Sequence, residues 1–350
     1  MDPLDFDYEI ADDDYYLFAA AELSAREEEL VEEAKLKRMV SVLNIKEFLK
    51  ILRETYYSKH MDLLEEGKGF DKVVQLEFKS YADYLLERLK EEHLVVLNIL
   101  FIPEEVHNYK LITKAMGREE DLKGLFVRLR YSYNEIMDAA KGDKNIYMDS
   151  LTQSMALQAT KLLEKDIPFR QKEIELEKTY LEMLWKEVEK IPVRMIVDYF
   201  KSTIDMYNIK NIYRRWLAKD KADVEEITAG HGFLGDDYYN LLKREGIEEF
   251  FKEVEKTRYK PLVSKAGELL TEHKDYSDTE KCEDIFYRVF FEPARFTTNN
   301  LEKIFDFFLK KKLEAKTLNI IHNGILYGMD KDRLRHEVLI FNEDKDRSNR

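Results

Sequence analysis

A ten-residue pattern occurs three times in this chain, and the spacing of its copies limits the architectures open to it. Glu105-Val-His-Asn-Tyr-Lys-Leu-Ile-Thr-Lys114 returns one hundred residues later as Asp205-Met-Tyr-Asn-Ile-Lys-Asn-Ile-Tyr-Arg214. A looser copy, Glu314-Ala-Lys-Thr-Leu-Asn-Ile-Ile-His-Asn323, follows 109 residues after the second. An acid (Glu105, Asp205, Glu314) opens each copy. Three residues on stands Asn108, Asn208 or Thr317, and five residues on Lys110, Lys210 or Asn319. At about 100° per residue, Val106, Tyr109, Ile112 and Met116 share one helical face. Met206, Ile209, Ile212 and Trp216 repeat that face, as do Ala315, Leu318, Ile321 and Ile325. The pattern predicts one amphipathic helix used three times, with a carboxylate set into its apolar arc.

A second repeat supports the first. Ile45-Lys-Glu-Phe-Leu-Lys-Ile-Leu-Arg-Glu-Thr-Tyr-Tyr57 recurs as Ile247-Glu-Glu-Phe-Phe-Lys-Glu-Val-Glu-Lys-Thr-Arg-Tyr259, in each case an amphipathic helix running into Thr-x-Tyr. Repeats at such periods decide architecture before any single element does. They predict three helical domains, over residues 1–120, 121–230 and 231–341, with 342–350 a disordered polar tail. Only 12 Gly and 6 Pro interrupt 350 residues, so few breakers stand against a wholly helical fold. The expected fold class is all-α. A 44% hydrophobic content is enough for a packed core.

The same composition excludes several functions. A net charge of −14 opposes a nucleic-acid partner, which needs a basic stripe to displace counterions. One cysteine, Cys282, allows no internal disulfide, fits a reducing compartment and reads as a small semi-buried hydrophobe. The first fourteen residues carry seven acids and no base, unlike a signal or transit peptide. The longest apolar run, residues 94–102, is interrupted by Asn98 and falls well short of the roughly 20 residues that span a bilayer.

No constellation reads as chemistry. Glu104-x-x-His107 is a lone copy of a motif that a four-helix di-iron site needs twice, and His107 falls on a polar face. Asp12-Asp-Asp14 and Asp236-Asp237 read as solvated acids. The glycine-rich stretch Thr228-Ala-Gly-His-Gly-Phe-Leu-Gly-Asp-Asp237 is followed by no Gly-Lys-Ser/Thr, so it reads as a connection between domains and not as a phosphate loop. No catalytic, cofactor or metal residues are assigned. A buried carboxylate without a partner is costly, so Glu105, Asp205 and Glu314 are expected to be buried, hydrogen-bonded and structural. Asn108, Asn208 and Thr317 sit one turn on, within reach of that network.

Locally, residues 15–51 read as one or two helices, with Ser24 and Glu27 as a capping box opening the second. Pro103 is placed to open the first repeat helix, and Gly117 and Gly124 to end that unit. Helix is expected over 128–140, 148–167, 169–189 and 301–324, the last capped by Thr297-Thr-Asn-Asn300. Residues 273–278 form a polar break, and 331–340 a closing helix.

Taken together, the motifs resemble a known family, the C-type central-stalk component of A/V-type rotary ATPases, whose counterpart in the vacuolar enzyme is the d-type component. The resemblance rests on Tyr16-Leu-Phe-Ala-Ala-Ala-Glu22, on Glu54-Thr-Tyr-Tyr57, on His107-Asn-Tyr-Lys110 and on Tyr207-Asn-Ile-Lys210. Leu313-Glu-Ala-Lys-Thr-Leu318, Asp332-Arg-Leu-Arg335 and Val338-Leu-Ile-Phe341 complete it. Thr317 and Asn319 depart from the family, which has Asn and a base there. The resemblance implies three similar domains arranged as a funnel with pseudo-threefold symmetry. It also implies a non-catalytic rotor role, with no cofactor. The implied partners are the D- and F-type shaft subunits and the membrane proteolipid ring, at the cytoplasmic face. The competing reading is a soluble helical-repeat adaptor unrelated to ATPases.

Overall fold

A computed structural model of the protein describes residues 8, 10–65, 69–143, 147–219, 223–260, 262–263, 283–287, 290–291, 293–294, 297 and 299–338. Residues 273–278, Cys282 and the 342–350 tail lie outside them. The described residues contain sixteen α-helices and no strand, so the fold is all-α. In chain order these are α1 (Leu17–Arg26), α2 (Glu33–Ser41), α3 (Ile45–Leu52), α4 (Met61–Glu65) and α5 (Phe70–Arg88). Then come α6 (Val95–Leu100), α7 (Ile102–Arg118), α8 (Tyr133–Ala140), α9 (Ser150–Leu163), α10 (Phe169–Val188) and α11 (Arg194–Leu217). The last are α12 (Val224–Ile227), α13 (Asp236–Glu245), α14 (Ile247–Val254), α15 (Leu301–Leu326) and α16 (Lys331–Glu337).

Packing groups the chain into two compact units. The smaller joins Glu9–Tyr84 to Glu280–Arg350, and the larger joins Met1–Tyr8 to Leu85–Thr279. In the smaller unit α15 is the axis. Its N-terminal half is apolar on most sides (Leu301, Ile304, Phe305, Phe307, Phe308) and buried accordingly. α1, α2, α3 and α16 pack around it. One continuous core joins Met39, Phe48, Leu52, Tyr57 and Phe70 to Leu318, Ile321 and Leu334, each large side chain stabilising by roughly 1.5–3 kcal/mol. Asn300 starts α15 by accepting the Lys303 amide at 2.9 Å. At its far end Gly324 admits Leu334, whose Cδ1 would lie 2.6 Å from a β-carbon there.

In the larger unit, α7, α9 and α10 pack together, and Tyr109 and Tyr180 meet with ring centroids 5.7 Å apart. A capping box of Ser132 and Glu135 opens α8. The helix expected over 128–140 therefore begins five residues late. Residues 126–132 stay non-helical because Val127 is hydrogen-bonded elsewhere, as described below.

Two further boundaries differ from expectation. Ser24 lies inside α1, and no helix starts at Glu27; Glu27–Glu29 forms a 3-10 turn that Arg26 pins to Glu29 at 3.2 Å. The break frees the Val31 amide for a side-chain partner. Likewise α7 runs through Gly117 and ends on Glu119, in the left-handed region at φ 54°. Gly117 serves packing, since a β-carbon there would meet Leu163 at 3.0 Å.

Candidate functional site

Asp205, from the second repeat, is fully buried on α11. The segment after α12 folds over it. The Phe233 and Leu234 amides donate to its two carboxylate oxygens at 2.8 and 3.1 Å, and the Tyr259 hydroxyl donates at 2.7 Å. One turn on, the Asn208 side chain pairs in both directions with the backbone of Ala229. It donates to the carbonyl at 2.8 Å and accepts from the amide at 2.7 Å. His231 stacks on Trp185 at 5.2 Å. Gly232 passes so close that a β-carbon would sit 2.0 Å from Asp205 Oδ1. Gly232 thus lets backbone approach a carboxylate of the chain's own. Burial dominates the acidity of Asp205 and pushes it up to about 7, against the lowering effect of Tyr259 and the two amides.

Glu314, from the third repeat, is buried on α15 and held by a different set. Lys311, one turn earlier and fully buried, donates at 2.8 Å, and the Val31 amide donates at 2.5 Å. The Lys311 ammonium also lies over the Tyr56 and Tyr57 rings at 4.8 and 5.2 Å. Tyr57 occupies the Thr-x-Tyr position that Tyr259 occupies for Asp205. Its hydroxyl faces Glu314 but stops short of hydrogen-bond geometry. A buried cation takes the place of the direct tyrosine bond.

Glu105, from the first repeat, is equally buried, but no loop amide among the described residues closes on it. The nearby Tyr109 hydroxyl has no hydrogen-bond partner, nor has that of Tyr180. Burial first, then the charges of Asp149 and Glu104, push Glu105 up to about 8, with Arg130 and Tyr109 opposing. A folded pKa above the unfolded value stabilises fully below about 4.5, and that contribution is lost as pH rises through about 8. Glu105→Gln is therefore expected to gain on the parent by up to about 5 kcal/mol between those limits. Urea unfolding across that range measures it. A difference that does not grow with pH would show that Glu105 titrates normally.

The other repeat positions divide in the same way. Asn108 pairs both ways with Val127, donating at 2.7 Å and accepting at 3.0 Å, as Asn208 does with Ala229. Both asparagines clamp the following segment and not the acid. Thr317 instead turns back to the Leu313 carbonyl at 2.8 Å, and Asn319 accepts from Asn323 at 3.1 Å. Lys110 pairs with Glu177 on α10, and Lys210 is half-buried on α11. His107 is exposed and bonds the Leu125 carbonyl at 3.0 Å. Among the described residues no His, Cys, Asp and Glu cluster could hold a metal ion. No helix there is long and apolar enough to cross a membrane.

Four further buried acids escaped the sequence reading: Glu77, Asp198, Glu302 and Asp306. Glu77 on α5 is fully buried and accepts from Lys59 at 2.6 Å, His60 at 2.5 Å and Tyr81 at 2.9 Å. Burial alone would raise it, but His60, Lys59 and Tyr81 bring it down to about 2. Its place in the i, i+4 stripe of Val73, Glu77 and Tyr81 was the available signal.

These clamps define a helical-repeat protein whose inward polar groups grip its own backbone. The profile of the ATP synthase (C/AC39) subunit family matches residues 19–337, and the chain belongs to that family, a component of A/V-type ATPases. A comparison with curated proteins found no match.

Proposed function

We propose that the chain is a non-catalytic central-stalk subunit that links the rotating shaft of an A/V-type ATPase to its membrane proteolipid ring. In this reading it has three similar domains, over 1–120, 121–230 and 231–341, arranged as a funnel with pseudo-threefold symmetry. D- and F-type shaft subunits and the proteolipid ring are its partners, at the cytoplasmic face of the membrane. Family membership supports the assembly. The observation that carries a docking role is at the start of α1, where Phe18 is 72% exposed beside exposed Leu17 and Tyr15. Large apolar groups left in water next to one another mark a surface that another protein covers. Rigid helices with buried clamps suit a part that must transmit torque without deforming.

Removing this subunit is expected to release soluble heads that still hydrolyse ATP while ion pumping stops, as read by ATPase assay and vesicle acidification. If pumping survives, or the tagged chain purifies from native membranes with no ATPase subunit, the helical-repeat adaptor reading takes its place.

A further inference from the structure

The three repeat acids are buried alike but answered unequally, and the position three residues earlier shows how. Ile102, Ser202 and Lys311 stand there. In the third copy Lys311 supplies an ammonium 2.8 Å from Glu314. In the second, two loop amides and the Tyr259 hydroxyl hold Asp205. Ile102 offers Glu105 nothing polar. The loop after α7 is engaged elsewhere, since the Ser132 amide donates to Glu135 at 2.8 Å and the Val127 amide to Asn108 at 3.0 Å. Asp149 draws the remaining donors. It takes Arg130 at 3.3 Å, the Tyr131 hydroxyl at 3.0 Å, and the amide and hydroxyl of Thr152 at 2.8 and 2.9 Å.

What gathers around Glu105 is oxygen. Tyr109, one turn on along α7, and Tyr180 from α10 are wholly buried, with ring centroids 5.7 Å apart. Both hydroxyls face the Glu105 carboxyl, and neither has a hydrogen-bond partner among the described residues. Thr152 from α9 stands by the first and Asn98 from α6 by the second, short of bonding geometry. Buried polar atoms left unpaired are costly, so such a cluster is built for something that answers it. A water answers hydroxyls but leaves a carboxylate's charge. A cation answers the charge, takes the hydroxyl lone pairs, and leaves their protons to Thr152 and Asn98. An all-oxygen set suits a hard cation. One carboxylate balances one positive charge, whereas calcium sites draw on several. Among the described residues no His, Cys, Asp and Glu cluster of that kind is found, which leaves a monovalent ion.

We propose that the first repeat binds one monovalent alkali cation between α7 and α10, held by Glu105, Tyr109 and Tyr180, in the role that the Lys311 ammonium plays for Glu314. The site goes beyond the stalk role and does not depend on it, because it is read on the chain alone. The proton is the competing ligand. Burial, then Asp149 and Glu104, push Glu105 up to about 8, with Arg130 and Tyr109 opposing, so the cation takes hold as pH rises through that value. The test is thermal unfolding of the full chain in sodium or potassium chloride, against choline chloride of equal ionic strength. At about pH 9, an alkali ion at about ten times its dissociation constant is expected to raise the midpoint by about 3 °C over choline. At about pH 6 the carboxyl keeps its proton and the difference should vanish. Glu105→Gln should fold and show no difference at either pH. Tyr180→Phe keeps the ring and its packing, and should raise the half-saturating salt concentration by about tenfold. Glu226→Gln, exposed on α12, should respond as the parent does. Equal midpoints in choline, sodium and potassium, a difference that persists in Glu105→Gln, or a half-saturation that Tyr180→Phe leaves unmoved overturns the site.

Discussion

Gly232→Ala is expected to lower the unfolding free energy by about 3 kcal/mol, and far less once Asp205 is gone. The added methyl would lie 2.0 Å from Asp205 Oδ1 and 2.8 Å from its Cγ, and a buried carboxylate fixed by three donors cannot move aside. Overpacking of this kind costs about 1–3 kcal/mol or somewhat more. Asp205→Ala alone strands the Phe233 and Leu234 amides and the Tyr259 hydroxyl, for an expected loss of about 3 kcal/mol. In the double variant the methyl occupies the vacated space, so the second substitution should add less than about 1 kcal/mol. Glu226→Ala, on the exposed face of α12, should cost less than about 0.5 kcal/mol. Urea unfolding of the four proteins makes the test. Simple additivity of the two losses would mean that the loop does not rest on the carboxylate.

Lys311→Met should be the more damaging change in the smaller unit, at about 4 kcal/mol. It keeps the bulk of the side chain and removes the one cation paired with Glu314 inside the core. A buried ion pair is weak evidence of stability as a pair, yet breaking it from one side is costly because the other charge stays buried. Adding Glu314→Gln neutralises that charge and preserves an acceptor for the Val31 amide. The Lys311→Met, Glu314→Gln protein should therefore regain at least half of the loss. If the single variant is as stable as the parent, the pair is solvated in solution and the cation is dispensable.

The helices were legible because their apolar periodicity is local. The repeat stripe is buried over its first three positions in each copy, while its last residue escapes: Trp216 is 40% exposed, and Met116 and Ile325 are half-buried. What periodicity could not reveal is pairing. The acid helix and the Thr-x-Tyr motif read as two separate repeats, yet Tyr259 bonds Asp205 from 54 residues away, and Tyr57 faces Glu314. They are two halves of one clamp, and nothing local says which tyrosine serves which acid. The glycines of the 228–237 stretch were visible, but their reason was not. For Gly232 it is the approach of loop backbone to the Asp205 carboxylate on α11. Asn108 and Asn208 likewise looked like partners of their own acids, and the structure gives them to Val127 and Ala229.

The joining of Glu9–Tyr84 to Glu280–Arg350 in one compact unit has a consequence for how the polypeptide is made. A ribosome delivers the amino-terminal helices long before α15 and α16 exist. Until then Phe48, Leu52, Tyr57 and Phe70 lack the Leu318, Ile321 and Leu334 side of their core. The larger unit, being contiguous from Leu85 onward, has its partners at hand much sooner. Early residues must therefore wait, apolar face uncovered, while the intervening stretch is synthesised. The last helices to emerge are the ones that let the first ones settle.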